Sequence, residues 1–438
     1  LIDYRPTSTV FNQLQSMRLY YKFVDVDIDR YQIDGAQQQV YLSARELDQS
    51  SLDSSAQTWV NKYLKYTHGY GAVVTPVNQV TNQGQPEMWV ENIPPTTNVP
   101  ELEITRPEIY YGQLTNDYVI VNTKEPEFDY PIGDSNAQTQ YEGTGGIPMT
   151  FGSKMLFAID RSNYKILFSN LITSDSKIML YRNVQERVKK IAPFLTFDSD
   201  PYLVIDDGKL VWIIDAYTST NKYPYAAKVT NSESIFYGQN YIRNSVKVTV
   251  DAYTGETNFY IVDETDPLIR SYAKVFPGLF QSLEQMPQNL QQHLKYSDTL
   301  FEVQTEIYQQ YHMKNPTVFY NKEDVWSISN EIYGKETTKM EPYFVNMRLP
   351  GSEQLEFLLM RPFTPTQKQN MVSWLAARND GDQYGKLVLF KFPKQSTIYG
   401  PLQVESRISN DSEISQNLNH CEISESIDRK STRLNSSH

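Results

Sequence analysis

Five aspartates lie close together near the middle of this chain: Asp198, Asp200, Asp206, Asp207 and Asp215. A carboxylate pair can act as acid and base when burial raises the pKa of one member, so such a cluster is one route to a hydrolase or transferase. Turn chemistry competes for the same residues. Asp206 and Asp207 lie at an Asp-Gly turn, and Asp198 and Asp200 suit a turn before Pro201. Catalysis would therefore rest on Asp198, Asp200 and Asp215, which would have to lie within about 10 Å of one another. His68, in Tyr66-Thr67-His68-Gly69-Tyr70-Gly71, titrates near neutrality and is a candidate general base. No nucleophile stands beside it in sequence, which favours a histidine that positions the glycine-rich turn.

Val24-Asp25-Val26-Asp27-Ile28-Asp29 alternates strictly, with three apolar side chains on one strand face and three carboxylates on the other. Counted from Asp25 as a calcium loop, it has Arg30 and Ala36 where Gly and Glu are required, so a solvated strand face is expected and no metal site. The single cysteine, Cys421, excludes an internal disulfide framework and a cysteine-ligated zinc site. The glycine-containing stretch 133–146 lacks the Lys-Ser/Thr ending of a phosphate-binding loop, and no cofactor is expected. A different surface is suggested at 219–244, where Tyr223, Tyr225, Phe236, Tyr237 and Tyr241 are spread through polar text. They could stack on sugar rings or pack against a partner, or simply roof the sheet below.

The elements that must position these groups centre on two hairpins. Residues 202–205 and 210–214 are short apolar runs joined by Asp207-Gly208, which can supply the positive φ angles of a type I′ turn. Their nearly continuous apolar character predicts a sheet covered on both faces. A second hairpin at 245–262 turns at Thr254-Gly255 and extends that sheet to four strands. Residues 183–191 read as a helix ended by Pro193, and 154–168 fits helix and strand spacing alike. Residues 266–313 are helical in pattern, with His312 at a C-terminus whose dipole favours a cationic imidazole. Thr364 as cap, Pro365 at the first position, Met371, Trp374, Leu375 and Arg378 on one face, and Gly381 beyond predict a further helix. The fold class expected is α+β: mixed or antiparallel hairpin sheets with packed helices. The expected parts are 1–160, 161–330, a strand-helix-strand part at 331–418, and a doubtful tail at 419–438.

A net charge of −12 without a basic block argues against a nucleic-acid partner and against lying flat on an anionic bilayer. No apolar run reaches the roughly 18 residues of a membrane span. The chain opens at Leu1 with neither Met nor a leader-like stretch, which reads as a piece of something longer.

Arg45-Glu46-Leu47, the segments 66–71, 104–112, 191–201, 212–217, 241–250 and 276–280, Tyr311-His312-Met313, and 374–378 resemble those of uncharacterised protein family 0182. The resemblance runs to about Leu418. It implies a large integral membrane protein, helices first and then a big external domain, sometimes given a transporter label. On that footing the chain is an extracytoplasmic part at a bacterial plasma membrane. Its partners are then its own upstream transmembrane helices and an envelope polymer or protein. Its work is recognition, gating or assembly, and an envelope hydrolase or transferase is the alternative. The family supplies no catalytic residues to carry over. The end, 428–438, resembles a translated sequencing adapter and is set aside together with His420, Cys421 and His438.

Overall fold

The computed structural model describes residues 3–133, 135–333, 336–352, 354–393, 395 and 397–412. The doubtful tail at 419–438 lies outside them. The architecture is α+β with mostly antiparallel sheets, and no helix of the described residues is long and apolar enough to cross a membrane. The chain divides into two compact units, Leu1–Lys295 and Tyr296–His438.

The first unit is built on the expected hairpin. Asp207 and Gly208 have φ of 46° and 78°, the left-handed pair that a type I′ turn demands. Strand Tyr202–Asp206 therefore folds back on Lys209–Thr220, with Leu203 opposite Trp212. Lys209–Thr220 pairs on its other side with Tyr241–Asp251, and Tyr241–Asp251 pairs with Thr257–Ile261. Thr196–Phe197 and the parallel strand Phe280–Ser282 complete a six-stranded sheet. Trp212, Ile214, Val248 and Val250 join one core with Tyr110, Tyr111, Val184, Val188 and Ile269. Two caps hold the helices of that core in place: Asn183 accepts from the amides of Gln185 and Glu186, and Asp266 from those of Leu268 and Ile269. The undecided stretch resolves into helices Phe151–Asp160 and Lys165–Phe168.

A second sheet, led by strands Asp27–Ile33 and Ala36–Ala44, docks on the first through hydrogen bonds from the Leu203 amide to Asp27 (2.9 Å) and from the Ile205 amide to the Tyr31 hydroxyl (2.9 Å). This docking overturns the solvated carboxylate face. Val24 is 45% exposed, whereas Asp29 is 0% exposed and Asp27 is buried. Alternation shows which side chains share a face, and the sheet packed opposite decides which face is inside.

In the second unit, helix Asp298–Tyr311 places Phe301 against Trp326, Leu359 and Phe363 of a five-stranded sheet. The helix expected from Thr364 is not formed, which also removes the strand-helix-strand description of 331–418. Thr364 and Pro365 end strand Leu355–Pro365, and Ser373–Arg378 pairs with it, Met360 opposite Ala376. Ser373–Arg378 is paired on both sides, so pairing and burial of Ala376 and Ala377 override helix propensity. His312 also departs from expectation. Its ring stacks on Trp326 with centroids 3.6 Å apart, and burial lowers its pKa, so the neutral imidazole is favoured over the cation.

Candidate functional site

The hairpin register brings the candidate carboxylates together but gives them different surroundings. The Asp198 amide donates to the Asp215 carbonyl at 2.9 Å across neighbouring strands. The Asp198 carboxylate accepts from the Tyr217 hydroxyl and from the Asp200 amide, the latter at 3.2 Å. The Asp215 carboxylate is paired with Lys247, whose side chain is fully enclosed. Both groups are therefore committed to internal contacts. Asp207 stays in its turn, bonded to Asn289 at 3.1 Å, and burial raises the pKa of its neighbour Asp206.

Asp200 is different. It is exposed, and its carboxyl hydrogen-bonds that of Asp25, which also accepts from Gln113 Nε2 at 2.8 Å. Burial raises the pKa of Asp25. Behind it, burial first and the charge of Asp25 second push Asp27 well above the ordinary carboxylate range. Deeper still, burial opposes ionisation of Asp29, but His293 at 2.7 Å and Arg30 outweigh it and hold the pKa below the usual value. The result is a line of acids running from surface to interior, with the Asp200 carboxyl against Asp25 at its outer end. Asp25 and Asp27 are the residues that sequence reasoning missed. Their signal is the three acids on one strand face, a pattern that a solvated strand face shares. No group of three or more His, Cys, Asp or Glu among the described residues is arranged to hold a metal ion.

His68 leads to a second place, a cavity of about 260 Å³ lined among others by Asp48, Lys62, Thr67, His68, Asn116 and Arg182. Its wall depends on a close backbone approach. A Cβ on Gly69 would lie 2.6 Å from the Arg45 carbonyl oxygen, so the backbone directly after His68 packs there only as glycine. His68 Nδ1 lies 3.0 Å from the Gly69 carbonyl and so carries the ring proton; Nε2 has no hydrogen-bond partner among the described residues. Burial lowers the His68 pKa to about 4, which leaves a neutral imidazole at neutral pH. The imidazole is buried against Tyr110, so His68 shapes the cavity floor and does not meet solvent as a base. Arg182, also buried, donates Nε to the Tyr110 carbonyl (2.8 Å), Nη1 to that of Asp117 (3.1 Å) and Nη2 to that of Thr67. Lys62 and Asp117 pair at 2.7 Å on the more open side.

Loop 112–117 connects the two places. The amides of Gln113 and Leu114 both donate to the Glu46 carboxylate at 2.8 Å, while the Gln113 side chain reaches Asp25. Burial raises the Glu46 pKa from 4.5 to about 7 in spite of those two amides. The folded chain thus binds a proton here that the unfolded chain releases above its ordinary pKa. The associated stability is complete below pH 4.5 and is lost as pH rises through about 7. Its size is on the order of 3 kcal/mol. Urea midpoints measured from pH 5 to 8 are expected to fall more steeply for the natural chain than for Glu46→Gln, and equal slopes would contradict the assignment.

The tyrosine-rich insertion is only partly a surface. Tyr223, Tyr225 and Tyr237 are exposed. Phe236 is not: it is fully buried, edge-on to Tyr217 with centroids 4.8 Å apart, because it anchors the insertion to the sheet. Tyr241 donates to Asp266 at 2.7 Å and stacks with Tyr223 at 5.7 Å.

The family model described as "Uncharacterised protein family (UPF0182)" matches residues 1–421. A UPF0182 protein of Methanospirillum hungatei is 51% identical over 418 residues, covering 95% of this chain and 46% of its own length. One from Pelotomaculum thermopropionicum is 50% identical over 419 residues, covering 95% of this chain and 45% of its own. A Trichodesmium erythraeum relative is 49% identical over 432 residues, with shares of 95% and 47%. No solved structure matches. The chain spans less than half the length of these relatives.

Proposed function

From the premise that the chain belongs to the uncharacterised protein family UPF0182, we propose that it is a recognition domain, displayed outside the cytoplasm by a longer membrane-embedded protein, with the cavity over His68 and Arg182 as its ligand seat. The observation that carries this is the character of the cavity wall. Asp48, Asn116, Asp117 and Lys62 offer donors and acceptors of both signs, while His68 and Arg182 beneath are held in internal contacts. Such a wall suits a small hydroxylated or zwitterionic solute, bound without being transformed. Capture there would be passed to the protein's own transmembrane helices, as gating or transport requires.

The test is thermal unfolding of the 438-residue chain with glucose, N-acetylglucosamine, glycine betaine and glutamate, one at a time. At about 100 times its Kd a solute adds about 2.7 kcal/mol of stability, a readable rise in Tm. The rise is expected to disappear in Asn116→Leu, and a panel that leaves Tm unmoved throughout refutes the seat. An envelope hydrolase or transferase is the second reading, and the direct Asp25–Asp200 hydrogen bond favours it. It requires turnover of envelope polysaccharide fragments that Asp200→Asn abolishes, and it fails if the natural chain turns over none.

A further inference from the structure

Helix Phe151–Asp160 carries apolar side chains on both sides. Phe157 and Ala158 pack inward on the small core around Met149, Ile166 and Ile178. At 100° per residue, Phe151, Gly152, Met155, Leu156 and Ile159 fall within a single arc of about 140° on the opposite side. That arc faces outward: Phe151 is 76% and Ile159 72% exposed, and Met155 and Leu156 are exposed as well. The short helix that follows adds Phe168, 76% exposed, and exposed Tyr164 precedes it at its N-cap. Beside them an apolar cleft of about 370 Å³ is lined by Trp59, Val60, Tyr164, Lys165 and Phe168.

A monomer in water rarely shows a contiguous apolar face of this kind without a use for it. Three features select the occupant. First, the arc carries no side-chain hydrogen-bonding group, so it offers a protein partner nothing to fix orientation, whereas an acyl layer needs no register. Second, Trp59 and Tyr164 line the cleft beside exposed Phe168, and they are the residue types that sit at headgroup depth. Third, in a chain of net charge −12 the exposed Arg161 and Lys165 stand at the C-terminal end of this helix and in the next, where the one acid is Asp160, paired with Arg161 at 3.0 Å, while Lys154 is turned inward onto the Ile172 carbonyl. The basic side chains match lipid phosphates, and at physiological salt the acidic remainder is screened beyond about 8 Å.

We propose that the face formed by helices Phe151–Asp160 and Lys165–Phe168 is a lipid-contact surface, which lies in the interfacial layer of a bilayer with Phe151, Leu156, Ile159 and Phe168 among the acyl chains. This inference is independent of the cavity: a chain that binds no solute can still float on lipid, and one that does not float can still bind solute.

The test is flotation of the 438-residue chain with phosphatidylcholine vesicles, and with vesicles that also contain phosphatidylglycerol. The natural chain is expected to float with both. The double variant Leu156→Glu/Ile159→Glu is expected to lose about tenfold or more in partitioning. Tyr225→Ser, at an exposed aromatic elsewhere, is expected to change nothing. If the double variant melts early, Phe151→Gln replaces it, with the same expected direction. Failure of the natural chain to float overturns the proposal, as does flotation of the variants at the natural level. Light scattering that shows a natural dimer made monomeric by Leu156→Glu/Ile159→Glu would also overturn it, assigning the face to a second copy.

Discussion

Lys247→Met, made alone, is expected to cost about 3–5 kcal/mol of stability. Lys247 is 0% exposed in the middle of strand Tyr241–Asp251, where it pairs with Asp215 and donates to the Lys295 carbonyl. Its removal leaves the Asp215 carboxylate buried beside a strand it cannot leave, since the pairing of Asp215 with Lys247 is part of the ladder. The cost is desolvation of an uncompensated charge, and it should vanish when the charge goes too. Asp215→Leu combined with Lys247→Met is therefore expected to lie within about 1–2 kcal/mol of the natural chain. Urea unfolding of both, with the transition of the first unit followed separately from that of the second, gives the comparison. A double variant as unstable as the single one would show that the two groups do not act as a pair. Asp215→Leu also bears on chemistry: a catalytic Asp215 would make the double variant stable but inactive.

Arg182→Met has the second largest expected effect, about 3 kcal/mol or more. The guanidinium joins the carbonyls of Tyr110 and Asp117, on one segment, to that of Thr67, more distant in sequence, and so holds the cavity wall together. Burial lowers its pKa to about 10, still charged at neutral pH, so each bond is charge-assisted. Methionine keeps much of the volume and orphans three carbonyls. An ammonium in place of the guanidinium satisfies at most part of this fork, so Arg182→Lys is expected to recover less than half of the loss. Hydrogen exchange localised to segments 66–71 and 112–117 is the second readout. A uniform loss of protection across the unit, with no excess at those segments, would mean that Arg182 acts as general core and not as a strap.

Much of the framework was legible before any coordinates. Asp207-Gly208, the helix over 183–191 and the second hairpin rest on local chemistry: positive φ, apolar side chains at helical spacing, and alternating side chains. Local signals also misled. Thr364-Pro365 has the look of a helix start, yet it ends a strand because Ser373–Arg378 finds two partners in a sheet. Phe236 shares its composition with exposed Tyr237 and differs only in what lies beneath it, which is Tyr217.

By itself the sequence determined the α+β class, the central hairpin and its turn, and the residues that share a strand face, because each follows from contacts between near neighbours along the chain. Tertiary structure alone decided that Asp27 and Asp29 are inside, that Asp200 meets Asp25 while Asp215 is taken by Lys247, and that His68 is sealed neutral above Arg182. Those outcomes depend on residues roughly 30 to 270 positions apart, from Asp215 with Lys247 to Asp29 with His293, and whether a carboxyl keeps its proton is set by the partner and the burial that only the folded chain brings to it.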